Sequence, residues 1–217
     1  MQYERNRRMV EQLVKQGIVK TEAVKKAILA VPRELFVWEG YESLAYDDQP
    51  LLLGDTGQTI SAPHMVAIML EELEVKKGQK VLEVGSGSGY NAACLSYLVG
   101  EDGKVISVEI NEELIKFARK NIQRLGLKNI DIIQGDGSLG YPPCSNEEIY
   151  DRIIVTAAAK SLPNFLKLQL KKGGIMLIPL GDTYMQVLTK FTKDVQGKLK
   201  TKNICDVVFV PLVEQSG

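Results

Sequence analysis

This sequence is poor in the residues that mark metal enzymes and disulfide-rich proteins, and it has no long apolar segment. It contains a single histidine and three cysteines, Cys94, Cys144 and Cys205, which form no CxxC pair. No apolar run approaches the ~20 residues of a membrane-spanning helix, and residues 1–10 are too charged for a signal peptide. These absences argue against a metal-ligand cluster, a disulfide scaffold and a membrane protein. We expect a cytoplasmic protein without a metal, whose cysteines are reduced and buried.

Neither sign of charge is in excess. Lysine and arginine together number 27, as do aspartate and glutamate, so the formal net charge is zero. Non-specific binding to nucleic acid needs a positive field, which makes nucleic acid a disfavoured partner. The chain has 217 residues, 45% of them hydrophobic, which fits one large domain or a domain with an extension. We expect a monomer, although the composition leaves an oligomer open.

The N-terminal fifth of the chain is predicted to be helical. Apolar residues between Met9 and Val14 have helical spacing, and Gly17 is a plausible C-terminal stop. Thr21 is placed to cap a second helix that continues to Ala30.

An irregular segment follows, from Tyr41 to Ile60. Its glycines, proline and paired aspartates predict a long loop or a short hairpin before a new helix start at Ser61. A loop of this length inside a compact domain is more often functional than accidental. We therefore divide the chain into an N-terminal helical and loop extension, residues 1–60, and a main domain, residues 61–217.

From Gly78 onward, short apolar strands alternate with amphipathic helices. This alternation predicts a doubly wound, mostly parallel sheet covered by helices on both faces, an α/β fold. Met185–Thr192 and Val207–Val213 resemble two further strands, which we expect to add to the sheet in antiparallel fashion. The other predicted elements are Lys80–Val84, Tyr90–Val99, Lys104–Ile110, Glu112–Leu125, Ile130–Gln134, Arg152–Thr156, Leu162–Leu170 and Ile175–Pro179.

The segment from Gly85 to Gly89, Gly-Ser-Gly-Ser-Gly, stands directly between a predicted buried strand and a predicted helix. Glycine permits a tight turn and close approach of a ligand, and the free N–H groups of a helix start favour a carboxylate or phosphate. The motif therefore predicts a ligand-binding turn. A purely structural strand-to-helix turn would use glycine too, so that alternative stays open.

Two acidic positions add to this prediction. Glu109 lies at the end of the next strand, 24 residues after Gly85, where a carboxylate can accept hydrogen bonds from ribose hydroxyls. Gly135-Asp136-Gly137 follows the strand after that, at the edge where open α/β sheets bind ligands. Either feature alone is compatible with a solvated carboxylate or an ordinary turn. Together with the glycine loop they favour a ligand with an adenosine body.

The spacing Gly-x-Gly-x-Gly, together with the strand acid Glu83, resembles class I S-adenosylmethionine-dependent methyltransferases. Dinucleotide-binding proteins have Gly-x-Gly-x-x-Gly instead. The resemblance implies a Rossmann-like methyltransferase fold and S-adenosylmethionine as the cofactor. The cofactor-binding residues that it implies are Glu83, Gly85, Ser86, Gly87 and Gly89 for the methionine portion, Glu109 for the ribose, and Asp136 and Gly137 for the adenine.

A second segment, Gln58-Thr59-Ile60-Ser61-Ala62-Pro63-His64-Met65, closely resembles protein-L-isoaspartate O-methyltransferases. The likeness covers nearly the whole chain, and the run from Gln58 to Pro63 is highly specific. Further matching segments are Gly17–Val19, Val31–Val37, Ala45–Asp48, Ala157–Ala159, Leu170–Gly174, Ile178–Gly181 and Phe209–Leu212, besides the two glycine motifs.

The residues alone suggest a simpler role for Ser61, because it is a good N-cap with Pro63 in the first helical turn. By the resemblance, Ser61 is the active-site serine, and capping and catalysis can coexist in it. Thr59, Ile60 and His64 are then expected to bind the substrate in the same pocket. Gln186 matches a substrate-proximal glutamine of the family, although Tyr184 and Met185 depart from the glycine-rich residues often found there.

The implied reaction accounts for the scarcity of histidine and cysteine. A carboxylate nucleophile with a pKa of about 4 is ionised near neutral pH and needs no general base. Orientation in line with the sulfonium methyl group and exclusion of water then carry the rate. By the resemblance, the substrate is the α-carboxylate of an isoaspartyl residue in a damaged protein or peptide. The methyl ester collapses spontaneously to a succinimide, which opens partly to normal aspartate.

Three other functions are compatible with parts of the sequence. An NAD-dependent oxidoreductase is opposed by the position of the third glycine, and an adenosine-ligand sensor leaves the run from Gln58 to Pro63 unexplained. A methyltransferase for nucleic acid or small molecules lacks a basic surface and an Asn/Asp-Pro-Pro-aromatic motif. The length and glycine content of residues 41–60 also suggest a lid over the peptide, a hypothesis that protease protection with cofactor and peptide would test.

Overall fold

A computed structural model describes residues 2–213. Its α-helices are α1 (Gln2–Lys15), α2 (Glu22–Ala30), α3 (Pro63–Leu73), α4 (Tyr90–Val99), α5 (Glu112–Arg124) and α6 (Asn164–Gln169). Its strands are β1 (Leu51–Leu52), β2 (Thr59–Ile60), β3 (Lys80–Val84), β4 (Lys104–Glu109), β5 (Ile130–Gln134), β6 (Tyr150–Val155), β7 (Leu170–Gly181), β8 (Gln186–Lys193) and β9 (Leu199–Val207). No helix of this part of the chain is long and apolar enough to cross a membrane.

The main sheet has seven strands in the order β5-β4-β3-β6-β7-β8-β9. Strands β5, β4, β3, β6 and β7 are parallel, and β8 and β9 continue the sheet in antiparallel fashion. Strand β3 is the middle one of the five parallel strands, and the direction in which successive strands are added reverses between β3 and its neighbour β6. This confirms the predicted doubly wound, mostly parallel sheet with antiparallel C-terminal strands.

Side chains of the central strands alternate between two hydrophobic cores. Val81 and Val105 pack in one core, whereas Leu82 and Ile106 pack in the other, on the opposite face. Burial of both faces explains why these strands are almost continuously apolar rather than alternating with polar residues.

The N-terminal helices belong to the first of these cores. Val10 of α1 and Ile28 of α2 lie in the same buried cluster as Val81 and Leu95. Thr21 caps α2, since its side chain accepts a hydrogen bond from the Val24 N–H (3.3 Å), as predicted. Residues 41–60 contain a 3₁₀ turn and the short antiparallel hairpin of β1 and β2, which was one of the two predicted alternatives.

Helix α3 begins one residue later than the sequence suggested. Its N-cap is Ala62, which offers no side-chain hydrogen bond, and Pro63 occupies the first helical turn. The prediction that Ser61 caps this helix is therefore wrong. The cap comes from a distant residue instead, since Asp48 Oδ1 accepts the His64 N–H (2.9 Å).

The last strand was also placed wrongly. Strand β9 is Leu199–Val207, and the predicted strand Val207–Val213 is an extended segment with an isolated bridge between Ala158 and Pro211. β9 is an edge strand and most of its side chains are solvent-exposed, so its first half is polar, Lys200-Thr201-Lys202-Asn203, and was mistaken for a turn.

The three cysteines are free, but only Cys94 is fully buried. Burial raises the pKa of the Cys94 thiol to about 12, which makes it unreactive near neutral pH. Cys205 is half-buried and Cys144 is exposed, so the expectation of three buried cysteines holds for one of them.

Candidate active site

The glycine loop lies where β3 ends, at the carboxyl edge of the sheet. Gly85, Gly87 and Gly89 have φ angles of 93°, 50° and 84°, which glycine adopts without steric cost. The Gly85 N–H donates to the Val108 carbonyl (2.8 Å), and Thr156 Oγ1 donates to the Gly85 carbonyl (2.7 Å). A Cβ on Gly85 would overlap Thr156 Oγ1. Hydrogen bonds to residues at both neighbouring strands therefore fix the loop.

Two other glycines are required by packing. A Cβ on Gly89 would lie 3.2 Å from the Cβ of Ala118 in α5, and a Cβ on Gly137 would overlap Val84. Gly137 lines the cavity beside the loop, whereas Gly89 faces α5 and is not among the lining residues. Gly89 therefore differs from the other glycines assigned to the cofactor, because its small size allows α4 and α5 to pack closely.

Glu109 ends β4 and lines the same cavity. Its Oε2 accepts the Gly87 N–H (3.0 Å), and its Oε1 accepts the N–H groups of Ile110 (2.9 Å) and Asn111 (3.0 Å). These bonds hold the carboxylate at the sheet edge beside the loop. A carboxylate offers about four acceptor positions, so Glu109 retains capacity to accept a ligand hydroxyl.

Glu83 lies beneath the loop and does not line the cavity. Its Oε1 accepts Asn91 Nδ2 of α4 (2.7 Å), and its Oε2 accepts the Ser107 hydroxyl. The Ser107 hydroxyl lies 2.6 Å from that of Ser86, which connects Glu83 to the loop. Burial raises the pKa of Glu83 to about 7, against the hydrogen bonds from Ser107 and Asn91.

The contact of Glu83 with the methionine portion of a cofactor stays a prediction. Its side chain points from the middle of the buried sheet toward α4, so it supports the loop from below. Ser86 and Gly85, by contrast, line the cavity.

Asp136 caps the short turn beside the cavity. Its Oδ1 accepts hydrogen bonds from the N–H (2.8 Å) and the hydroxyl (2.6 Å) of Ser138. Asp136 is thus the N-cap of the 3₁₀ turn Gly137–Leu139. Its neighbours Gly135 and Gly137 line the cavity, whereas Asp136 does not. The Gly-Asp-Gly motif therefore presents backbone to the cavity, and its acid shapes the turn.

The glycine loop and the run from Gln58 to Met65 meet in one cavity of about 940 Å³. This volume is in the range of small-molecule and cofactor sites. The predicted substrate residues Thr59, Ile60, Ser61 and His64 all line it. The fold thus joins the two motifs that the sequence singled out independently.

The Ser61 side chain is half-buried and makes no hydrogen bond to any other group of residues 2–213. Since Asp48 serves as the cap of α3, the Ser61 hydroxyl is available to a ligand. Asp48 Oδ1 also lies 2.8 Å from His64 Nδ1. This bond fixes the imidazole and leaves Nε2 as the nitrogen with which His64 can contact a ligand.

Gln186 lies behind the cavity wall rather than in it. Its side chain is 1% exposed, its Nε2 donates to the Asp182 carbonyl (2.6 Å), and its Oε1 accepts the Phe209 N–H (2.7 Å). Both polar groups of the amide are therefore hydrogen-bonded within the protein, and direct contact of Gln186 with substrate stays a prediction. Gln186 instead ties the β7–β8 turn to Phe209, which does line the cavity.

A buried arginine supports another part of the wall. Arg33 Nε donates to the Ala45 carbonyl (2.8 Å), and the guanidinium lies 5.2 Å from the ring centroid of Tyr90, which lines the cavity. Burial lowers the pKa of Arg33 to about 10, so it remains a cation near neutral pH. Arg33 therefore holds the irregular N-terminal segment against the start of α4.

Sequence reasoning missed three contributions to the site: Asp48, Thr156 and the cavity-lining segment 206–213. The sequence shows the paired aspartates at 47 and 48 as loop residues within a segment that matches the family, without a role in the site. The apolar run at the C-terminal end was assigned to a strand. Thr156 and residues 206–213 line the cavity, and Asp48 acts through His64; these contacts join residues distant in sequence, which local patterns do not encode.

Comparison with known proteins agrees with this geometry. The family model for protein-L-isoaspartate(D-aspartate) O-methyltransferase matches residues 4–217. A protein-L-isoaspartate O-methyltransferase of Hyperthermus butylicus is 49% identical, over 99% of this chain and 90% of that protein. One from Pyrococcus abyssi is 48% identical, over 99% of this chain and 97% of its own length.

Among solved structures, a candidate enzyme of this name from Plasmodium falciparum, in complex with S-adenosyl-L-homocysteine, superposes with a TM-score of 0.85. It is 31% identical, over 96% of this chain and 98% of that one. The match therefore includes the N-terminal helices and the C-terminal strands as well as the central sheet. On its sequence over nearly its whole length and on its fold, this chain belongs to the protein-L-isoaspartate(D-aspartate) O-methyltransferase family.

Proposed function

We propose that the cavity between the glycine loop and residues 58–65 is the active site of a protein-L-isoaspartate O-methyltransferase. One observation carries this proposal: the run Thr59-Ile60-Ser61 and the loop Gly85-Ser86-Gly87 line the same cavity. A site for methyl transfer must hold a methyl donor and an acceptor carboxylate side by side, and this arrangement offers one wall for each.

The residues of the sheet edge fit the cofactor. Positive φ angles at Gly85 and Gly87 keep the loop free of side chains, and Glu109 has acceptor capacity for ribose hydroxyls. Backbone at Gly135 and Gly137 is open to the adenine. When bound there, S-adenosylmethionine supplies the sulfonium methyl group for transfer. We propose that Glu83, Gly89 and Asp136 serve this half of the site by fixing its shape.

On the substrate side, we propose that the Ser61 hydroxyl donates a hydrogen bond to the isoaspartyl carboxylate. Its hydroxyl has no hydrogen-bond partner within the described residues, so no bond inside the protein has to break when it binds the substrate. With His64 Nδ1 bonded to Asp48 Oδ1, Nε2 is the ring nitrogen left to contact the substrate. Thr59 and Ile60 line the approach, and Gln186 acts indirectly by positioning Phe209.

The chain needs no general base for this reaction. A carboxylate with a pKa of about 4 is already ionised near neutral pH, and methylation moves no proton. The residues contribute orientation through Ser61 and His64 and exclusion of water through the apolar wall. Positioning of this kind is worth several orders of magnitude in rate.

The remaining aspects of the function are proposals of the same kind. We propose that residues 1–60 and 61–217 work as one unit, since helices α1 and α2 share the main core.

A zero net charge supports protein substrates over nucleic acid, and three free cysteines support a cytoplasmic enzyme. We propose that the enzyme acts as a monomer.

A methyl-transfer assay on matched peptides tests the proposal. Two peptides of one sequence, with either isoaspartate or aspartate at the central position, are incubated with enzyme and S-adenosylmethionine carrying a labelled methyl group. We expect methyl ester on the isoaspartyl peptide and at least about 100-fold less on the aspartyl peptide, because a misplaced carboxylate loses the in-line geometry. Equal labelling of the two peptides would refute the substrate assignment.

A further inference from the structure

Exposed apolar side chains are concentrated at the mouth of the cavity. Tyr184, Met185, Val208 and Val213 are 88%, 65%, 76% and 53% exposed, and all four line the cavity. We call these four residues the apolar rim. Single exposed apolar residues are ordinary on protein surfaces, but a contiguous group beside a binding site marks an interaction surface.

The backbone beneath the apolar rim is held in place. Asp182 Oδ1 accepts the N–H groups of Tyr184 (2.8 Å) and Met185 (3.0 Å), and these bonds lower the pKa of Asp182. The Gln186 amide then links the Asp182 carbonyl to the Phe209 N–H, on the segment that carries Val208. Both parts of the rim are thus joined by hydrogen bonds, so a ligand meets a surface that is largely preformed and costs little entropy to order.

A polypeptide substrate has to cross this rim. The reacting residue enters the cavity by its carboxylate, while the chain on either side of it must leave through the mouth. Isoaspartate places its β-carbon in the main chain, and the additional backbone atom breaks the regular spacing of a helix or strand. Side chains next to the damage are therefore released from regular packing and are free to contact the enzyme.

From these observations we propose that the apolar rim binds an aliphatic or aromatic side chain adjacent to the isoaspartyl residue. The enzyme then favours damage in segments whose normally buried side chains have become exposed over damage in polar surface loops. This inference rests on the proposed function, since it assumes an isoaspartyl polypeptide in the cavity. It goes further by assigning to Tyr184 and Met185 a role in choosing among such substrates.

A peptide panel tests this inference. Isoaspartyl peptides carry leucine, phenylalanine, serine or glycine at the two positions on the amino side or the carboxyl side of the damaged residue. Calorimetry with S-adenosyl-L-homocysteine present gives the peptide Kd, and initial rates give kcat/KM. We expect the unaltered enzyme to favour leucine or phenylalanine over serine by about tenfold, which corresponds to about 1.4 kcal/mol.

The double variant Tyr184→Ser, Met185→Ser is expected to lose most of this discrimination, leaving a ratio within about twofold of one. Val195→Ser, a matched control on an equally exposed valine (78%) outside the cavity lining, is expected to keep the tenfold ratio. Thermal unfolding checks that the variants are folded, which we expect because the side chains that they remove are exposed.

The outcomes are distinct from those of the substrate assay. Absence of a flanking preference in the unaltered enzyme, or an undiminished preference in the double variant, would overturn the inference while isoaspartyl specificity stands. Equal activity on isoaspartyl and aspartyl peptides would overturn the proposed function itself. Equal binding of leucine- and serine-flanked peptides in calorimetry would overturn the inference even without turnover.

Discussion

The cavity joins two regions that are built in different ways. The cofactor region, at the ends of β3, β4 and β5, is mainly backbone: a glycine loop bonded to both neighbouring strands and closely packed glycines. The substrate region consists of residues 41–65 and the apolar rim, where side chains far apart in sequence meet, as with Asp48 and His64. Backbone changes in the first region should therefore abolish binding, whereas side-chain changes in the second should alter turnover and selectivity.

The largest effect is expected for Gly85→Ala. A Cβ there overlaps Thr156 Oγ1, and a φ of 93° is unfavourable for alanine. We expect a destabilisation of about 2–5 kcal/mol and a loss of S-adenosylmethionine affinity of at least about 100-fold, measured by urea unfolding and calorimetry. Gly126→Ala is the matched control, since Gly126 has a φ of 64° and open space around it. Cofactor binding by Gly85→Ala at the level of the unaltered enzyme would contradict a backbone-built cofactor region.

A second prediction concerns Glu83, which lies beneath the glycine loop, and the pH dependence of stability. Its pKa is raised from 4.5 to about 7 by burial, so as pH rises the unfolded chain loses this proton before the folded protein does. The stability that Glu83 contributes is therefore present below about pH 4.5 and is lost as pH rises to about 7. Over this range the free energy of unfolding should fall by about 3 kcal/mol.

Glu83→Gln cannot titrate, so its free energy of unfolding should lack this fall between pH 4.5 and 7.5. Urea unfolding of the cofactor-free proteins at several pH values measures the difference. Glu112→Gln is the control, because Glu112 is exposed and its pKa is lowered by Lys116. Parallel pH profiles for Glu83→Gln and the unaltered enzyme would show that folding does not raise the pKa of Glu83.

Ser61→Ala examines the substrate region. Because its hydroxyl is available to the carboxylate, kcat should fall about 10- to 100-fold, while the cofactor Kd changes by less than about twofold. Ser61 does not cap α3, so the free energy of unfolding should stay within about 0.5 kcal/mol. Thr21→Ala is the contrasting variant, since Thr21 does cap a helix: it should cost about 1 kcal/mol in stability and nothing in kcat. Unchanged turnover in Ser61→Ala would remove the proposed role of this serine.

The smallest effect is expected for Asp48→Asn, which keeps the shape of Asp48 but removes its charge. His64 then loses a charged hydrogen-bond partner, and we expect KM for the isoaspartyl peptide to rise about fivefold, about 1 kcal/mol. Steady-state kinetics measures this change, and Asp47→Asn, at the adjacent residue, serves as the control. An equal rise in both variants would mean that surface charge acts, rather than the bond to His64.

Prediction from the sequence succeeded best where structure is local. The alternation of strands and helices gave the sheet, and glycines between a strand and a helix gave the loop, because these patterns reflect backbone geometry over a few residues. It was less accurate where a polar side chain had several possible partners. Glu83 and Asp136 were assigned to the cofactor, and inside the protein Glu83 accepts the Ser107 hydroxyl and Asp136 accepts the Ser138 hydroxyl, so those assignments stay predictions. Ser61 matched the residue preference of an N-cap, but Asp48 supplies that cap.

The fold class and the position of the glycine loop could be predicted from local sequence patterns, and the reaction from the family resemblance. Periodic apolar residues and glycines at fixed spacing impose the fold and the loop through steric and hydrophobic effects that act along the chain. Three features emerged from packing in three dimensions: the Ser61 hydroxyl has no partner within residues 2–213, Gln186 lies behind the cavity wall, and Tyr184 and Met185 form part of the apolar rim. These roles depend on which distant group fills each hydrogen bond and which surface remains exposed, and long-range packing alone settles that.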